Sequence, residues 1–343
     1  LWFLNWRLRL TSGRNESETI PPMRNFLIDT DTASDDAVAI MIALAEPSVR
    51  VLGLTTVAGN VGLEQATLNA LLTAEICKSD VPVFAGADKP LNRAHDHAHW
   101  FHGQDGLGDH GYPAPKRSPE REHAVDAILR TAQAEPGLTL VTLGPPTNIA
   151  LALERDPGLA ERIGRCVVMG GAPCCEGNVT PAAEYNIWVD PEAARAVFRS
   201  KLRIEMVGWH VSRGPSVLSD DEIAAIEALG TKKAKFAIET NSRAREAYHV
   251  QTGEVGLSLA DPTAMAVALD RSIGLSWSRH RVAIETQSEL TRGMTVVDRL
   301  DVTSDENNAQ VWKAAAGESE GADILWTLDS RRFKAMLKSA LAA

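Results

Sequence analysis

Short apolar segments alternate with segments of helical periodicity along most of this sequence. The apolar segments are FLIDT, RVLGLTTVAGN, VPVFAG, LTLVTLGP, RCVVMGGA, RIEMVGW and RVAIET. The helical patterns between them include ATLNALLTAEIC, HAVDAILRTAQAEP, TNIALALERDP and DPEAARAVFRSK. Strands that alternate with helices are typical of a mainly parallel sheet with helices on both faces. We therefore predict an α/β fold in which a mainly parallel central sheet is flanked by helices.

No internal repeat, low-complexity tract or Pro/Ser-rich linker divides the 343 residues. We therefore predict a single domain over residues 23–343, although the length alone would also suit two domains. Residues 1–22 do not resemble a signal peptide, because Arg7 follows the short apolar start instead of preceding it. We expect this N-terminal extension to be ordered weakly or not at all.

Charge and cysteine content exclude several kinds of partner. A net charge of -10 argues against nucleic acid or an acidic membrane surface, since either needs a clustered basic face. No apolar run approaches the roughly 20 residues that span a bilayer. The cysteines have neither a disulfide framework nor a metal-site spacing, so the cytoplasm is the expected location. A small polar molecule is the partner that fits best.

Four carboxylates, those of Asp29, Asp31, Asp35 and Asp36, follow the first apolar segment in FLIDTDTASDDA. Ser34 and the two acids after it, followed by AVAIMIALAE, are typical of a helix start with Ser34 as the N-cap. That interpretation leaves Asp29 and Asp31 unexplained, and the repulsion among the four charges requires a counter-ion. A hard cation such as Ca²⁺ or Mg²⁺ prefers carboxylate oxygens. We therefore expect a cation at the end of this strand.

Polar residues also follow the later predicted strands, namely Asn60, Thr147 and the Met169-Gly170-Gly171 segment. In open α/β sheets, ligands bind beyond the carboxyl ends of the strands. These residues are therefore expected at one edge of the sheet, together with Asp31.

Two other aspartate motifs fit the first loop less well. An EF-hand loop requires a glycine that is missing here. A phosphatase-like DxDx[TV] motif requires Thr or Val where Ala33 stands. A Mg²⁺-dependent phosphohydrolase therefore stays only as an alternative function.

Seven segments occur in one order, DTDTASDDAVA, TTVAGN, HGQDGLG, LGPPTNIA, VVMGGA, GNVTPAAEYNIWVDPEAA and ADPTAMA. Together they closely resemble the nucleoside hydrolase family, the inosine-uridine-preferring type of N-ribohydrolase. The resemblance implies a calcium-dependent hydrolase acting on N-glycosyl compounds, which converts a ribonucleoside to ribose and free base. Family members form dimers or tetramers, so a homodimer or homotetramer is expected.

The resemblance also implies roles for individual residues. Asp31 would be the general base on a water molecule bound to the metal. The metal ligands would be Asp31, Asp36, Asp261 and the backbone carbonyl of Thr147. The substrate-binding residues would be Asp35, Asn60, His102, Met169, Asn178, Glu184, Tyr185 and Asn186. Carboxylates next to the sugar suit the oxocarbenium-like transition state of glycosidic cleavage.

The sequence departs from the family pattern at three places. Thr32-Ala33 replaces the usual Pro-Gly, and Tyr185 stands where the family often has Phe. More consequentially, Ala260 replaces a His that can protonate the leaving base. We expect Tyr248 or His249 to take over that task, and the other candidates are Trp209, His210 and His102. A nucleoside-binding or ribose-binding protein without turnover is therefore a further alternative.

Five histidines crowd the segment RAHDHAHWFHGQDGLGDH. A zinc site is one interpretation, but no nearby Cys or carboxylate completes a known ligand spacing. Solvated loop histidines are the simpler explanation, and only His102 belongs to a family motif.

Overall fold

One eight-stranded sheet organises the chain, which a computed structural model describes over residues 23–310 and 321–343. The sheet runs in the order β3-β2-β1-β4-β5-β6-β10-β7, and every neighbouring pair is parallel except β10 with β7. A separate antiparallel ribbon pairs β8 with β9. The strands are β1 (Arg24–Thr30), β2 (Val49–Thr56), β3 (Val83–Ala85), β4 (Leu138–Thr142), β5 (Ile163–Met169), β6 (Ile204–Val207), β7 (Gly274–His280), β8 (Val282–Ile284), β9 (Thr295–Val297) and β10 (Ala322–Leu328).

Helices follow most of the parallel strands and cover both faces of the sheet, so the predicted fold class is confirmed. They are α1 (Ser34–Ala45), α2 (Leu63–Ile76), α3 (His99–His102), α4 (Ala124–Ala134), α5 (Thr147–Arg155), α6 (Leu159–Arg162), α7 (Tyr185–Val189), α8 (Pro191–Phe198), α9 (Asp220–Glu227), α10 (Lys232–Thr240), α11 (Ser242–Thr252), α12 (Ala260–Leu269) and α13 (Ser330–Ala342).

Alternate residues of β1 enter two hydrophobic cores. Phe26 and Ile28 pack with the buried faces of α1, α2, α10, α12 and α13. Leu27, on the opposite face, packs with α4, α5 and α8. This division follows from the two-residue period of a strand, and it explains why β1 is an almost continuous apolar segment.

Helix α1 connects the core to the acidic loop. It is buried along nearly its whole length and packs against α12, so its small and branched apolar side chains face protein on all sides. Its first residue is Ser34, and the carboxylate of Asp36 accepts a 2.9 Å hydrogen bond from the amide of Ala33. The prediction of Ser34 as N-cap is therefore wrong. Its hydroxyl instead lies 2.7 Å from Nδ1 of His102.

The C-terminal part of the sheet differs from the sequence pattern. RVAIET was predicted as a strand of the main sheet, but Val282–Ile284 belongs to the small ribbon. The sheet is completed by β10 and β7, which the pattern missed. Strand β7 is a partly exposed edge strand with the polar sequence GLSWSRH, so it lacks the apolar run of a buried strand.

Three sequence-based expectations concern the N-terminal extension, the cysteines and membrane-spanning helices. The N-terminal extension, residues 1–22, lies outside the described residues. The cysteines at positions 77, 166, 174 and 175 are all free thiols. Within residues 23–310 and 321–343, no helix combines the length and apolar character needed to cross a bilayer.

Candidate active site

A cavity opens at the carboxyl ends of the central strands, where the first loop and α12 meet. Asn60 lies just beyond β2, Leu143 just beyond β4, and Met169 is the last residue of β5. The first turn of α12 contributes Ala260 and Asp261. The cavity is lined by every residue predicted to bind substrate, namely Asp35, Asn60, His102, Met169, Asn178, Glu184, Tyr185 and Asn186. Their individual roles stay predictions.

Asp31 is fully buried between two glycines. Oδ2 accepts a 2.6 Å hydrogen bond from the amide of Asn60, while Oδ1 has no partner among the described residues. A Cβ on Gly59 would lie 2.1 Å from Oδ2, and one on Gly144 would lie 2.7 Å from Oδ1. Burial, followed by repulsion from Asp36, holds the pKa of Asp31 well above its usual value. The carboxylate is thus closely confined, with one oxygen left for a ligand or a proton.

Next to Asp31, three carboxylates form an acidic cluster. Oxygens of Asp35, Asp36 and Asp261 all lie within 4.8 Å of one another. Asp36 is fixed by the Thr30 hydroxyl at 2.6 Å, whereas Oδ1 of Asp261 has no partner in the described part of the chain. Burial and repulsion from Asp35 and Asp36 raise the pKa of Asp261 well above its usual value. A cation bound here would remove that repulsion and satisfy the free oxygen, so the cluster fits a metal site.

Glu184, Tyr185 and Asn186 hold the cavity wall through many hydrogen bonds. The Glu184 carboxylate accepts from the amides of Gly171 at 2.7 Å and Asn186 at 2.9 Å, and burial raises its pKa. The Asn186 side chain donates to the carbonyl of Leu143 at 2.5 Å. These contacts join the ends of β4 and β5 to the start of α7, so the polar atoms of the wall are pre-positioned.

Asn178 and His102 are also fixed by protein contacts. The side-chain oxygen of Asn178 accepts a 2.9 Å hydrogen bond from the amide of Tyr185. His102 is buried beside the start of α1, and burial lowers its pKa to about 4. His102 is therefore neutral at pH 7 and unsuited to carry a positive charge.

Aromatic side chains supply the rest of the lining, those of Trp100, Phe101, Trp209 and Tyr248. The Tyr248 hydroxyl donates to the carboxylate of Glu254, which also pairs with Arg213 at 2.8 Å. Burial, followed by the hydrogen bond to Glu254, raises the pKa of Tyr248 above its usual value. Flat aromatic faces suit a nucleobase, because bases stack on such side chains.

The cavity thus combines carboxylates, amides and aromatic rings. Comparison of the sequence with known protein families gives a match over most of the chain. The family model described as inosine-uridine preferring nucleoside hydrolase matches residues 26–321. The chain belongs to the nucleoside hydrolase family. The predicted family and enzyme class, a hydrolase acting on N-glycosyl compounds, are thereby confirmed.

Individual relatives agree with that membership. A pyrimidine-specific ribonucleoside hydrolase of Shewanella sp. strain ANA-3 is 39% identical over 323 residues, which are 93% of this chain and 96% of the relative. Uridine nucleosidase 1 of Arabidopsis thaliana is 37% identical over 291 residues, 84% of this chain and 85% of the relative. A solved plant nucleoside hydrolase has a TM-score of 0.84 at 31% identity, covering 94% of this chain and 100% of that chain.

Two predicted residues of this nucleoside hydrolase belong neither to the cavity lining nor to the acidic cluster next to Asp31. Thr147 is the first residue of α5, and its hydroxyl donates to Asp190 at 2.7 Å. The strand-end residue that does line the cavity is Leu143, which stands four positions earlier in the same motif. The turn Gly144-Pro145-Pro146 thus separates Thr147 from the residue that lines the cavity, and the role of the Thr147 carbonyl as a metal ligand stays a prediction.

His249 is the second such residue. It is exposed on α11, its Nδ1 lies 3.0 Å from the carbonyl of Glu254, and it lines a separate surface groove. Its neighbour Tyr248 faces the cavity. Consecutive helical residues point about 100° apart, so only one of the two could face the site.

The sequence also missed residues that shape the nucleoside hydrolase site. Gly59 and Gly144 stand in the quoted motifs without an assigned role, yet both make room for Asp31. Asp29 is fully buried, and its Oδ1 accepts hydrogen bonds from the Thr55 hydroxyl at 2.6 Å and the Asn148 side chain at 2.8 Å. Trp100 and Phe101 carry no recognisable pattern, so only the fold could identify them as cavity residues.

The histidine-rich segment supplies one buried histidine, His102, and its other four histidines are partly or fully exposed. His97 and His99 stack with ring centroids 3.5 Å apart, and Nε2 of His95 lies 2.7 Å from the carbonyl of Gly59. In the described part of the chain, the acidic cluster is the group of side chains arranged to hold a metal, and no histidine belongs to it.

Proposed function

We propose that this protein hydrolyses the N-glycosidic bond of ribonucleosides to ribose and free base, with Asp31 as the general base and Ca²⁺ at the acidic cluster. The observation that carries the proposal is the Oδ1 of Asp31, which is free among the described residues and buried close enough to Asp35, Asp36 and Asp261 for their charges to interact, while Asp35 and Asp261 line the cavity. A general base needs one oxygen free to accept a proton, and Asp31 has one.

The donor set supports a hard cation. Asp36, Asp261 and Asp31 would hold Ca²⁺, with Asp35 close enough to share it and the carbonyl of Leu143 at the cavity wall as a further oxygen. Bound Ca²⁺ supplies positive charge that favours the ionised carboxylates and acidifies a neighbouring water molecule.

The protein's own groups account for the rest of the reaction. Asp31 takes the proton of the attacking water as the water adds to the anomeric carbon. Glu184, Asn60, Asn178 and Asn186 orient the ribose, and the nearby carboxylates stabilise the positive charge that develops on the sugar ring. Because Ala260 has no proton to give, the base departs stacked on the aromatic side chains and hydrogen-bonded to the Tyr248 oxygen. The base takes its proton from solvent, and Asp31 afterwards returns the proton of the attacking water to solvent.

We propose pyrimidine ribonucleosides as the preferred substrates. The two curated relatives described above are named for pyrimidine nucleosides or uridine, and each matches more than four-fifths of this chain. The aromatic lining accepts any flat base, so this preference rests on those relatives.

Assembly and location complete the proposal. A homodimer or homotetramer is proposed from the family resemblance. A cytoplasmic location is proposed because the four cysteines remain thiols, as a reducing compartment favours.

A substrate panel tests the function. Purified protein is incubated with uridine, cytidine, inosine, adenosine and the corresponding nucleotides, with or without a chelator, and released reducing sugar is measured. We expect turnover of the ribonucleosides, fastest with uridine or cytidine, loss with chelator, and recovery on adding Ca²⁺. Binding of nucleosides without any turnover would instead identify a binding protein, and release of phosphate from nucleotides alone would identify a phosphohydrolase. Recovery by Mg²⁺ but not Ca²⁺ would contradict the proposed metal.

A further inference from the structure

We infer that Tyr185 and His95 are positioning residues that hold the Gly59–Asn60 peptide group against the carboxylate of Asp31. The inference rests on the proposed function, because it assigns these two side chains to the alignment of the proposed general base. Tyr185 stands at a position where a phenylalanine would keep the same aromatic wall, so its hydroxyl requires an explanation of its own.

A single peptide group connects the three residues. Its N–H, that of Asn60, donates to Oδ2 of Asp31 at 2.6 Å. Its carbonyl, that of Gly59, lies 2.9 Å from the Tyr185 hydroxyl and 2.7 Å from Nε2 of His95. A carbonyl only accepts, so His95 donates from Nε2. The Tyr185 hydroxyl also donates, and its single proton is shared between the carbonyls of Gly59 and Asp96. The Gly59 oxygen therefore receives one full hydrogen bond from His95 and one shared hydrogen bond from Tyr185.

The rigidity of the peptide transmits the constraint. Because the peptide group is planar, any rotation that moves the Gly59 carbonyl also moves the Asn60 amide. Two donors fixed on one end therefore fix the direction of the hydrogen bond at the other end. Hydrogen bonds in such a chain also polarise one another, so the amide becomes a better donor to Asp31.

Backbone hydrogen bonds on either side of this peptide group also hold the turn. The Gly59 amide bonds to the carbonyl of Val61 at 3.0 Å, and Gly59 carries no side chain because Asp31 occupies the space. The Tyr185 hydroxyl also lies 2.7 Å from the carbonyl of Asp96, and the Ala98 amide bonds to the Asn60 carbonyl at 2.9 Å. One hydroxyl thus ties the histidine-rich segment and the Asn60 turn together.

The consequence for the reaction concerns the chemical step more than substrate binding. A phenylalanine at position 185 keeps the ring that faces the cavity but removes the donor. The base carboxylate then samples more orientations, and small misplacements of a catalytic group reduce the rate steeply. We therefore expect the change to lower kcat while KM stays nearly constant.

Three variants and a matched control test this. Tyr185→Phe and His95→Ala are each expected to lower kcat about tenfold with KM within about threefold of wild type. His95→Gln keeps an N–H donor and is expected to recover most of the rate. Tyr112→Phe is the control, because its hydroxyl bonds to Glu239 at 2.8 Å and it does not line the cavity. It should keep wild-type kinetics.

The double variant Tyr185→Phe/His95→Ala distinguishes positioning from independent effects. Since both donors act on one carbonyl, its loss in kcat should be clearly smaller than the product of the single losses. The inference would be overturned if the kcat loss of the double variant equalled the product of the two single losses. A wild-type kcat for Tyr185→Phe, or a change in KM alone, would also overturn it.

Hydrogen exchange gives a readout that does not need turnover. The amides of residues 59–61 should exchange faster in Tyr185→Phe and His95→Ala than in wild type or Tyr112→Phe. Unchanged exchange would overturn the inference while leaving the proposed function in place. A wild-type protein that cleaves no ribonucleoside would instead overturn the proposed function and the kinetic half of this inference.

Discussion

The amide of Asn60 holds one oxygen of Asp31 at 2.6 Å, while the other oxygen of that carboxylate has no partner within residues 23–310 and 321–343. This asymmetry separates two tasks on one side chain. The held oxygen fixes the orientation of the carboxylate, and the free oxygen is available for a proton or a cation.

Replacing Asp31 by alanine should abolish sugar release. General bases contribute about 10² to 10⁴ in rate, so we expect a loss of at least about 10² in kcat. Asp126 provides a matched control, because its carboxylate pairs with Arg155 on the exposed surface. Asp126→Ala should keep its activity, and circular dichroism should report a native fold for both variants. Near-normal rates in Asp31→Ala would refute the assignment.

Gly59, the residue before Asn60, offers an independent test of how closely the Asp31 carboxylate is packed. A Cβ on Gly59 would meet Oδ2 of Asp31 at 2.1 Å, whereas one on Gly62 would meet nothing within 4 Å. We expect Gly59→Ala to lower kcat by at least about tenfold, because the carboxylate or the turn must move. Gly62→Ala should leave the rate unchanged and cost at most a little stability at the start of α2. Equal rates in the two variants would contradict the close packing around Asp31.

Parts of this site were predictable because the relevant signals are local. Asp31 and Asn60 stand where apolar strands end, and parallel strands bring those ends to one edge. Thr147 shows the limit of such signals: a motif locates a turn, but only the three-dimensional path of Gly144-Pro145-Pro146 places Leu143 at the cavity wall and Thr147 at the start of α5. Likewise, proximity in sequence could not separate Tyr248 from His249 on one helix.

The fold has a similar limit. Strands β1 to β6 were recognised, since they are continuous apolar runs, whereas the interior strand β10 was missed. Strand β7 escaped because it is an edge strand with a polar sequence, and Val282–Ile284 was misplaced because a short apolar run does not specify its partner. The pairing of β7 with β10 depends on the path of the whole folded chain and not on the local sequence of either strand.

Tyr248 and His249 form a matched pair of variants on α11. We expect His249→Ala to keep the wild-type rate, because the side chain lies outside the cavity. Tyr248→Phe should lower kcat/KM by about three- to tenfold, the effect of one hydrogen bond to the base. A general acid would cost 10² or more. Tyr248 is a poor acid, because its pKa is raised and its hydroxyl already donates a hydrogen bond to Glu254. A loss of about 10² or more would contradict that conclusion.

The most distinctive effect of pH on stability should come from Asp29. Burial raises its pKa from 3.8 to about 7 in the folded protein, despite hydrogen bonds from Thr55 and Asn148. Between these values the folded state keeps the proton that the unfolded state releases. The stabilisation is therefore complete below about pH 4 and is lost as the pH rises through about 7.

Asp29→Asn removes this titration while keeping an oxygen for both donors. Urea unfolding of the two proteins at pH 5 and pH 8, in chelator, compares them without a bound metal. The wild type should lose about 2 to 3 kcal/mol relative to the variant between these pH values, since each pKa unit is worth about 1.4 kcal/mol. The other buried acids titrate in both proteins and cancel in the difference. A difference that does not change with pH, or that grows in favour of the wild type at pH 8, would show that Asp29 is already ionised in the folded protein at pH 5.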